Sequence, residues 1–210
     1  MRLLAVDTAL GACSAALLQD DRVLAARRAV MERGHAEALA PMVKEVMRDA
    51  DFAALDRLAV TTGPGTFTGQ RVGLAFMRAL HVATARPLVG VTSLAAMAAQ
   101  AQAETGGTTA AAVHDARRDE VYLEILGTDD PRILSFAAAC ELLRGAPGLV
   151  LAGTAAGRVA QALAPVGVAV SAIVAPDAIW VARLAALRSP AGVPRPLYLR
   201  PPDARVPAAR

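Results

Sequence analysis

Apolar residues along the chain change period several times, and those changes predict the elements. Short apolar runs at 3–8, 13–18 and 22–29 are separated by Leu10-Gly11 and by Gln19-Asp20-Asp21. Runs of this length between turn residues predict three strands in an antiparallel meander. At 35–50 the period becomes helical, with Leu39, Met42, Val43, Val46 and Met47 on one face. Pro41, early in that segment, removes one backbone donor and predicts a kink. A strand at 55–62 runs into a glycine-rich loop, and a second helix follows at 70–85. Its predicted apolar face is Val72, Ala75, Phe76, Ala79 and Leu80. A strand at 87–91 and a helix at 94–104 complete an α/β layer with a mixed sheet.

Gly106-Gly107 marks a hinge. Beyond it strands are predicted at 109–114, 120–126, 149–153 and 168–174, and helices at 135–144, 155–164 and 177–188. Ser135 and Asp177 are the expected N-caps. The second half thus reads as a smaller, degenerate repeat of the first. The expected division is a domain at 1–105, a reduced one at 106–190, and a Pro/Arg-rich tail at 191–210 that docks on the first domain or stays loose.

Composition narrows the functional classes. Hydrophobic residues make up 55% of the 210 positions but aromatics only 3%, so the core must be small and aliphatic. The net charge of +3 is carried almost wholly by arginine, with Lys44 the one lysine. An excess this small, spread along the chain, is a weak signature for nucleic-acid binding. Cys13 and Cys140 are far apart and form neither a disulfide framework nor a zinc motif, which suits a reducing cytoplasm. The N-terminal apolar run is interrupted by Asp7 and is too short for a signal core, and no membrane span is expected.

Candidate chemistry centres on the loop Gly63, Pro64, Gly65, Thr66, Phe67, Thr68, Gly69. Amides at the following helix start suit an anion, but no Gly-Lys-Ser/Thr follows, so this is not a Walker A loop. A tight turn that brings helix and sheet together fits the spacing equally. Gly69 and Gly73, four residues apart, make a flat helical face for close approach, either within the chain or to a partner. Leu74, Met77 and Arg78 fall off the predicted apolar face, and their exposure favours a partner. Asp7-Thr8 with Ser14 fits a phosphate hairpin or an Asx-type turn. His35, His81 and His114 lack the spacing of a metal pair, and Cys13 reads as a core residue.

Taken together, several motifs resemble the TsaB (YeaZ) family. These are Ala5-Val6-Asp7-Thr8 with Ala12-Cys13-Ser14, His35 with Leu39, Pro41 and Met42, and the 63–69 loop with Arg71-Val72-Gly73. Gly90-Val91-Thr92-Ser93-Leu94, Asp115-Ala116-Arg117 with Glu120-Val121-Tyr122, and Tyr198-Leu199-Arg200 extend the likeness over nearly the whole chain. The loop is its most specific part, and 132–189 match in outline.

The resemblance implies an actin/Hsp70-like (ASKHA) fold of duplicated domains. It implies a cytoplasmic, non-catalytic subunit that binds TsaD as a heterodimer. TsaE with ATP would join through that complex, beside the threonylcarbamoyl-adenylate synthase. The product is threonylcarbamoyladenosine next to the anticodon of tRNAs reading codons that begin with A. No cofactor or metal of its own is implied, tRNA contact is indirect or weak, and a homodimer is expected when the chain is alone. The family's pairing of first helices puts His35, Leu39, Met42, Val43, Val46, Arg71, Leu74, Met77 and Arg78 near the interface, with Gly73 on the small-residue face.

Two other functions remain in view. A small ATPase or kinase of the same fold would keep Asp7, Thr8 and Asp115, with Gly153-Thr154-Ala155-Ala156-Gly157, as remnants of its nucleotide loops. Arg117 and Arg118 stand where such a site needs glycine. A glycoprotease-like metalloprotease would need the His pair that TsaD carries after the strand equivalent to 87–91. Here that stretch reads Val91-Thr92-Ser93-Leu94-Ala95-Ala96.

Overall fold

The computed structural model describes residues 1–128, 130–165 and 167–200; positions 201–210 of the tail lie outside the described residues. The first sheet is built from β1 (Arg2–Asp7), β2 (Ala12–Gln19), β3 (Arg22–Val30), β4 (Arg57–Gly63) and β5 (Leu88–Thr92), in the order β3-β2-β1-β4-β5. Strands β1, β4 and β5 are parallel; β2 runs antiparallel to β1, and β3 antiparallel to β2. The second sheet uses β6 (Thr109–Arg117), β7 (Glu120–Ile125), β8 (Arg132–Ser135), β9 (Leu149–Ala152) and β10 (Ala169–Val170), in the order β10-β9-β6-β7-β8. Its directions repeat those of the first: β6–β7 and β7–β8 are antiparallel, β6–β9 and β9–β10 parallel. The same pattern written twice is the duplicated actin/Hsp70-like architecture.

One face of the first sheet carries α1 (His35–Val46) and α2 (Phe67–Thr84). Leu39, Val43, Val46, Leu74 and Met77 share a core there with Leu4, Val6, Leu58 and Val60. Pro41 lies inside α1 and is exposed, and the helix continues past it to Val46.

On the opposite face lie α3 (Ser93–Thr105) and α6 (Ala178–Leu187). Helix α3 is buried nearly all round. Its Ala95 and Ala96 meet the first sheet and α6, while Leu94, Met97, Ala98 and Ala101 meet Ala110, Ala112, Val150 and Ala152 of the second. Alanine makes this possible, because a helix pressed between two sheets has no side for bulky groups. The second sheet's far face is covered by α4 (Phe136–Leu143) and α5 (Ala156–Ala162).

Helix α6 lies within the 106–190 segment, yet its Ala178, Val181, Ala182 and Ala185 are buried on the first sheet. Arg57 of β4 holds its far end, donating from Nη1 to Ala185 O and Arg188 O, each at 2.7 Å.

Two elements differ from expectation. The strand expected at 168–174 is regular only over Ala169–Val170. Beyond it Ser171 N still donates to Leu151 O and Ile173 O still accepts from Gly153 N, each at 2.8 Å. A local turn in which Ser171 Oγ accepts the Ile173 amide at 3.1 Å interrupts the regular pairing. Strand β8 has no counterpart in the sequence pattern; its short Arg-Ile-Leu-Ser stretch lacks clean alternation and gains its order from β7.

Candidate functional site

Strand β1 ends against the loop that follows β4, and backbone meets backbone there. The Thr66 amide donates to Ala9 O at 2.8 Å. A Cβ on Gly65 would lie 2.2 Å from that same oxygen, and a Cβ on Gly69 would lie 2.2 Å from Thr8 O. Only glycine fits either position. Thr8 then inserts its hydroxyl at the start of α2, donating to Gly69 O at 2.6 Å and accepting from Gly73 N at 3.0 Å. Those two helix groups are the i, i+4 pair that a regular turn joins directly. A side chain on Gly73 would meet the Thr8 hydroxyl at 2.7 Å.

Buried polar side chains fix the rest of the loop. Thr66 caps α2 by accepting from Gly69 N at 3.1 Å. Gln70, 2% exposed, donates from Nε2 to Gly65 O at 2.9 Å. Ser93 donates to Pro64 O, and the Gly63–Pro64 peptide is cis. Phe67 and Thr68 are exposed.

Asp7 lies beneath this junction with no exposure. Its Oδ1 accepts from Thr61 Oγ1 at 2.6 Å and from the Ala9 amide at 3.1 Å, while Oδ2 has no hydrogen-bond partner. Burial pushes the carboxyl up to about 7, although both hydrogen bonds and the Arg28 charge oppose the rise. Ser14 is equally sealed, its Oγ accepting from Ala178 N at 3.0 Å where α6 begins. Of the two readings of this hairpin, the Ala9 amide on Asp7 Oδ1 makes the Asx-type turn, and the polar groups that a phosphate would need are turned inward.

The second lobe closes in a similar way. A Cβ on Gly153 would lie 2.2 Å from Val113 O, which accepts the Ala155 amide at 3.1 Å. Asp115 is exposed; its amide donates to Thr154 Oγ1 at 3.0 Å and its Oδ1 accepts from Arg117 N at 2.9 Å. The following Arg117, Arg118 and Asp119 all have positive φ. Asp7 and Asp115, both named as remnants of nucleotide loops under the ATPase or kinase alternative, sit in opposite environments, one sealed and one exposed.

Of the residues expected near a partner, most face inward. Leu39, Val43, Val46, Leu74 and Met77 are at most 3% exposed, and His35 is bound through Nε2 to Leu10 O at 3.0 Å. The exposure expected of Leu74 and Met77 is therefore absent. The observed phase of α2 differs from the predicted one because glycine and glutamine, not aliphatics, complete its inner face. Gly69, Gln70, Gly73, Leu74 and Met77 are buried, and Ala75 and Ala79 are exposed. Arg71 is exposed, and Met42 and Arg78 are half-buried. Outward positions unforeseen from the sequence are Phe67, 60% exposed, and Val82, 82% exposed. Between the helices, Pro41, Met47, Phe52 and Phe76 line a groove of about 580 Å³.

His114 is mostly buried, which lowers its pKa, and its Nδ1 has no hydrogen-bond partner. His81 binds Arg86 O through Nδ1 at 2.6 Å. Among the described residues no three His, Cys, Asp or Glu side chains come together as a metal site. Cys13 is a buried free thiol, pushed up to about 11 by burial. No helix of the described residues is long and apolar enough to cross a membrane.

Comparison with known proteins agrees with this architecture. A family model described as TsaD, tRNA N6-adenosine threonylcarbamoyltransferase, matches residues 28–130. The tRNA threonylcarbamoyladenosine biosynthesis protein TsaB of Escherichia coli (strain K12) is 39% identical over 124 residues, which is 58% of this chain and 53% of that protein. The match thus spans about half the length of that curated relative. An uncharacterized protein of Mycobacterium tuberculosis (strain H37Rv) is 37% identical over 97% of this chain and 93% of its own length. The structure of YeaZ from Pseudomonas aeruginosa superposes with a TM-score of 0.75 at 32% identity, covering 89% of this chain and 92% of that one.

The joint can be probed by substitution and by pH. Gly69→Ala forces a methyl into the Thr8 carbonyl and is expected to destabilise the chain by ~1–3 kcal/mol or more in urea unfolding. A neutral result would show that the contact is slack. The Asp7 carboxyl titrates near 3.8 when unfolded and near 7 when folded, so between those values the folded chain holds a proton the unfolded chain has lost. Its contribution to stability is therefore fullest in acid and falls as pH rises through that window. Asp7→Asn keeps an oxygen for Thr61 and cannot ionise. Relative to the native chain, the variant should gain up to ~1.4 kcal/mol for each pH step of one across the window, and nothing further outside it. Unfolding curves whose difference does not change with pH would contradict this.

With fold and sequence matching over nearly the whole of both molecules, the chain belongs to the TsaB/YeaZ family.

Proposed function

We propose that this chain serves threonylcarbamoyladenosine formation in tRNA as a non-catalytic partner of a TsaD-type subunit. The observation that carries the reading is the closure of the β1 end. Where a nucleotide-binding relative of this fold needs free amides and an accessible carboxylate, Asp7 is sealed and Thr8 is spent on α2. The 63–69 loop is held by its own chain rather than open to a ligand. What the chain offers outward instead is a helical face.

That face comprises Arg71, Ala75, Ala79 and Val82 of α2, spaced about a turn apart on one side, with Pro41 and Lys44 of α1 also exposed. Small residues let another helix approach closely, and Arg71 and Val82 give it charge and apolar area. The residues expected at the interface are revised accordingly. Leu39, Val43, Val46, Gly73, Leu74 and Met77 support the face from beneath. TsaE with ATP, and tRNA, belong to the assembly formed on TsaD. A homodimer through the same face is expected when TsaD is absent.

Mixing the chain with its cognate TsaD-type subunit should give co-elution on a sizing column. Ala75→Glu, on an exposed position, should abolish co-elution with little change in melting temperature. Separate elution of the native pair would sink the reading, and unimpaired binding by Ala75→Glu would move the interface elsewhere.

A further inference from the structure

After α6 the chain forms a strap, residues 188–200, that crosses the first sheet's edge. Arg188 Nη1 donates to Gly90 O at 3.4 Å, and a Cβ on Gly90 would lie 2.9 Å from Pro194 Cβ, so strap and strand touch. Arg78 donates from Nε to Pro194 O at 3.1 Å, and the Leu197 amide donates to Thr62 O at 2.8 Å. Past Tyr198, Arg200 pairs with Glu120 of β7. Pro190, Pro194 and Pro196 stiffen the segment between these ties.

Tyr198 is thereby held over the first turns of α2. Its ring stacks on Phe67 with centroids 5.9 Å apart and an interplanar angle of 24°. Its hydroxyl accepts from Arg71 Nε at 2.8 Å, and the Arg71 guanidinium sits 3.5 Å from the Phe67 ring centre. Each of the three groups constrains the other two. Yet Phe67 remains 60% exposed and Tyr198 46% exposed, so the cluster is ordered without being buried. In a chain with seven aromatic residues, two are spent at one surface point.

We propose that the strap, through Tyr198, pre-organises Phe67 and Arg71 as the anchor pair of the docking face for a second chain of the same fold; this rests on the partner reading above. Arginine and aromatic side chains dominate interface energetics, and a side chain already immobilised loses less freedom on binding. Phe67 and Arg71 lie one turn apart and continue into Ala75 and Ala79, so the anchor and the small-residue stripe form one surface. The matching surface on the partner is an apolar wall for the ring beside a carboxylate or carbonyl for the guanidinium. Tyr198 is a positioning residue: it holds the anchors in the rotamers the partner meets.

The test uses the full chain and the cognate TsaD-type subunit, with Tyr198→Ala and Tyr198→Phe. Tyr198→Ala should weaken binding by roughly five- to a hundredfold, the freedom regained by two side chains, at an unchanged melting temperature. Tyr198→Phe keeps the ring and loses the acceptor, and should fall between. In the free protein, the Arg71 Nε–H resonance should shift and exchange faster in Tyr198→Ala, because its bond to the Tyr198 hydroxyl is lost. Native affinity in Tyr198→Ala, or an unmoved Arg71 resonance, would overturn the proposal. If the native chain fails to bind the subunit at all, the partner reading fails, while the Arg71 resonance still decides whether Tyr198 positions it.

Discussion

The first turn of α2 rests on the turn that closes β1 with no side chain between them. Two glycines permit this, and a threonine hydroxyl completes it by bonding the Gly69 carbonyl and the Gly73 amide. Much else depends on this contact. It sets the depth at which α2 lies on β1 and β4, which decides that Leu74 and Met77 point inward. It fixes the loop whose Pro64 carbonyl receives Ser93 at the start of α3, and α3 is the helix that both sheets share. A change at Thr8, Gly65 or Gly69 would therefore reach the second lobe as well as the first.

The contact also engages part of the chemistry that the fold could otherwise offer. Free amides at a helix start and a carboxylate at a strand end make a nucleotide site when they face a cleft. Here the Thr66 amide is spent on Ala9, the Gly69 amide on Thr66, and Asp7 is shut away at an energetic cost that its raised pKa records. A protein that seals this corner gains a rigid platform. The outward side of that platform, from Phe67 to Val82, carries the exposed residues on which the proposed partner would dock.

The fold class is legible in the sequence because strand runs, helical period and turn glycines change together along the chain. Caps at Ser135 and Asp177 are legible for the same local reason. The site is less so. A glycine reads alike whether it faces a ligand, a partner or its own backbone, and only the 2.2 Å that would separate a Cβ on Gly69 from Thr8 O decides. The inner face of α2 escapes the apolar pattern because Gln70 looks like a solvent residue and is buried on Gly65 O. A polar residue flanked by glycines just inside a helix is the available signal. Tyr198 stands out from sequence only as part of a motif, since its contacts with Phe67 and Arg71 span more than a hundred residues.

If the β1 end is a packing joint and not a binding pocket, it should ignore nucleotide. A calorimetric titration of the chain with Mg–ATP tests this most directly. Closure predicts no saturable heat, and amide signals of Thr66 and Gly69 that stay in place throughout. Saturable binding accompanied by movement of those signals would show that the joint opens to a nucleotide, and would contradict the account.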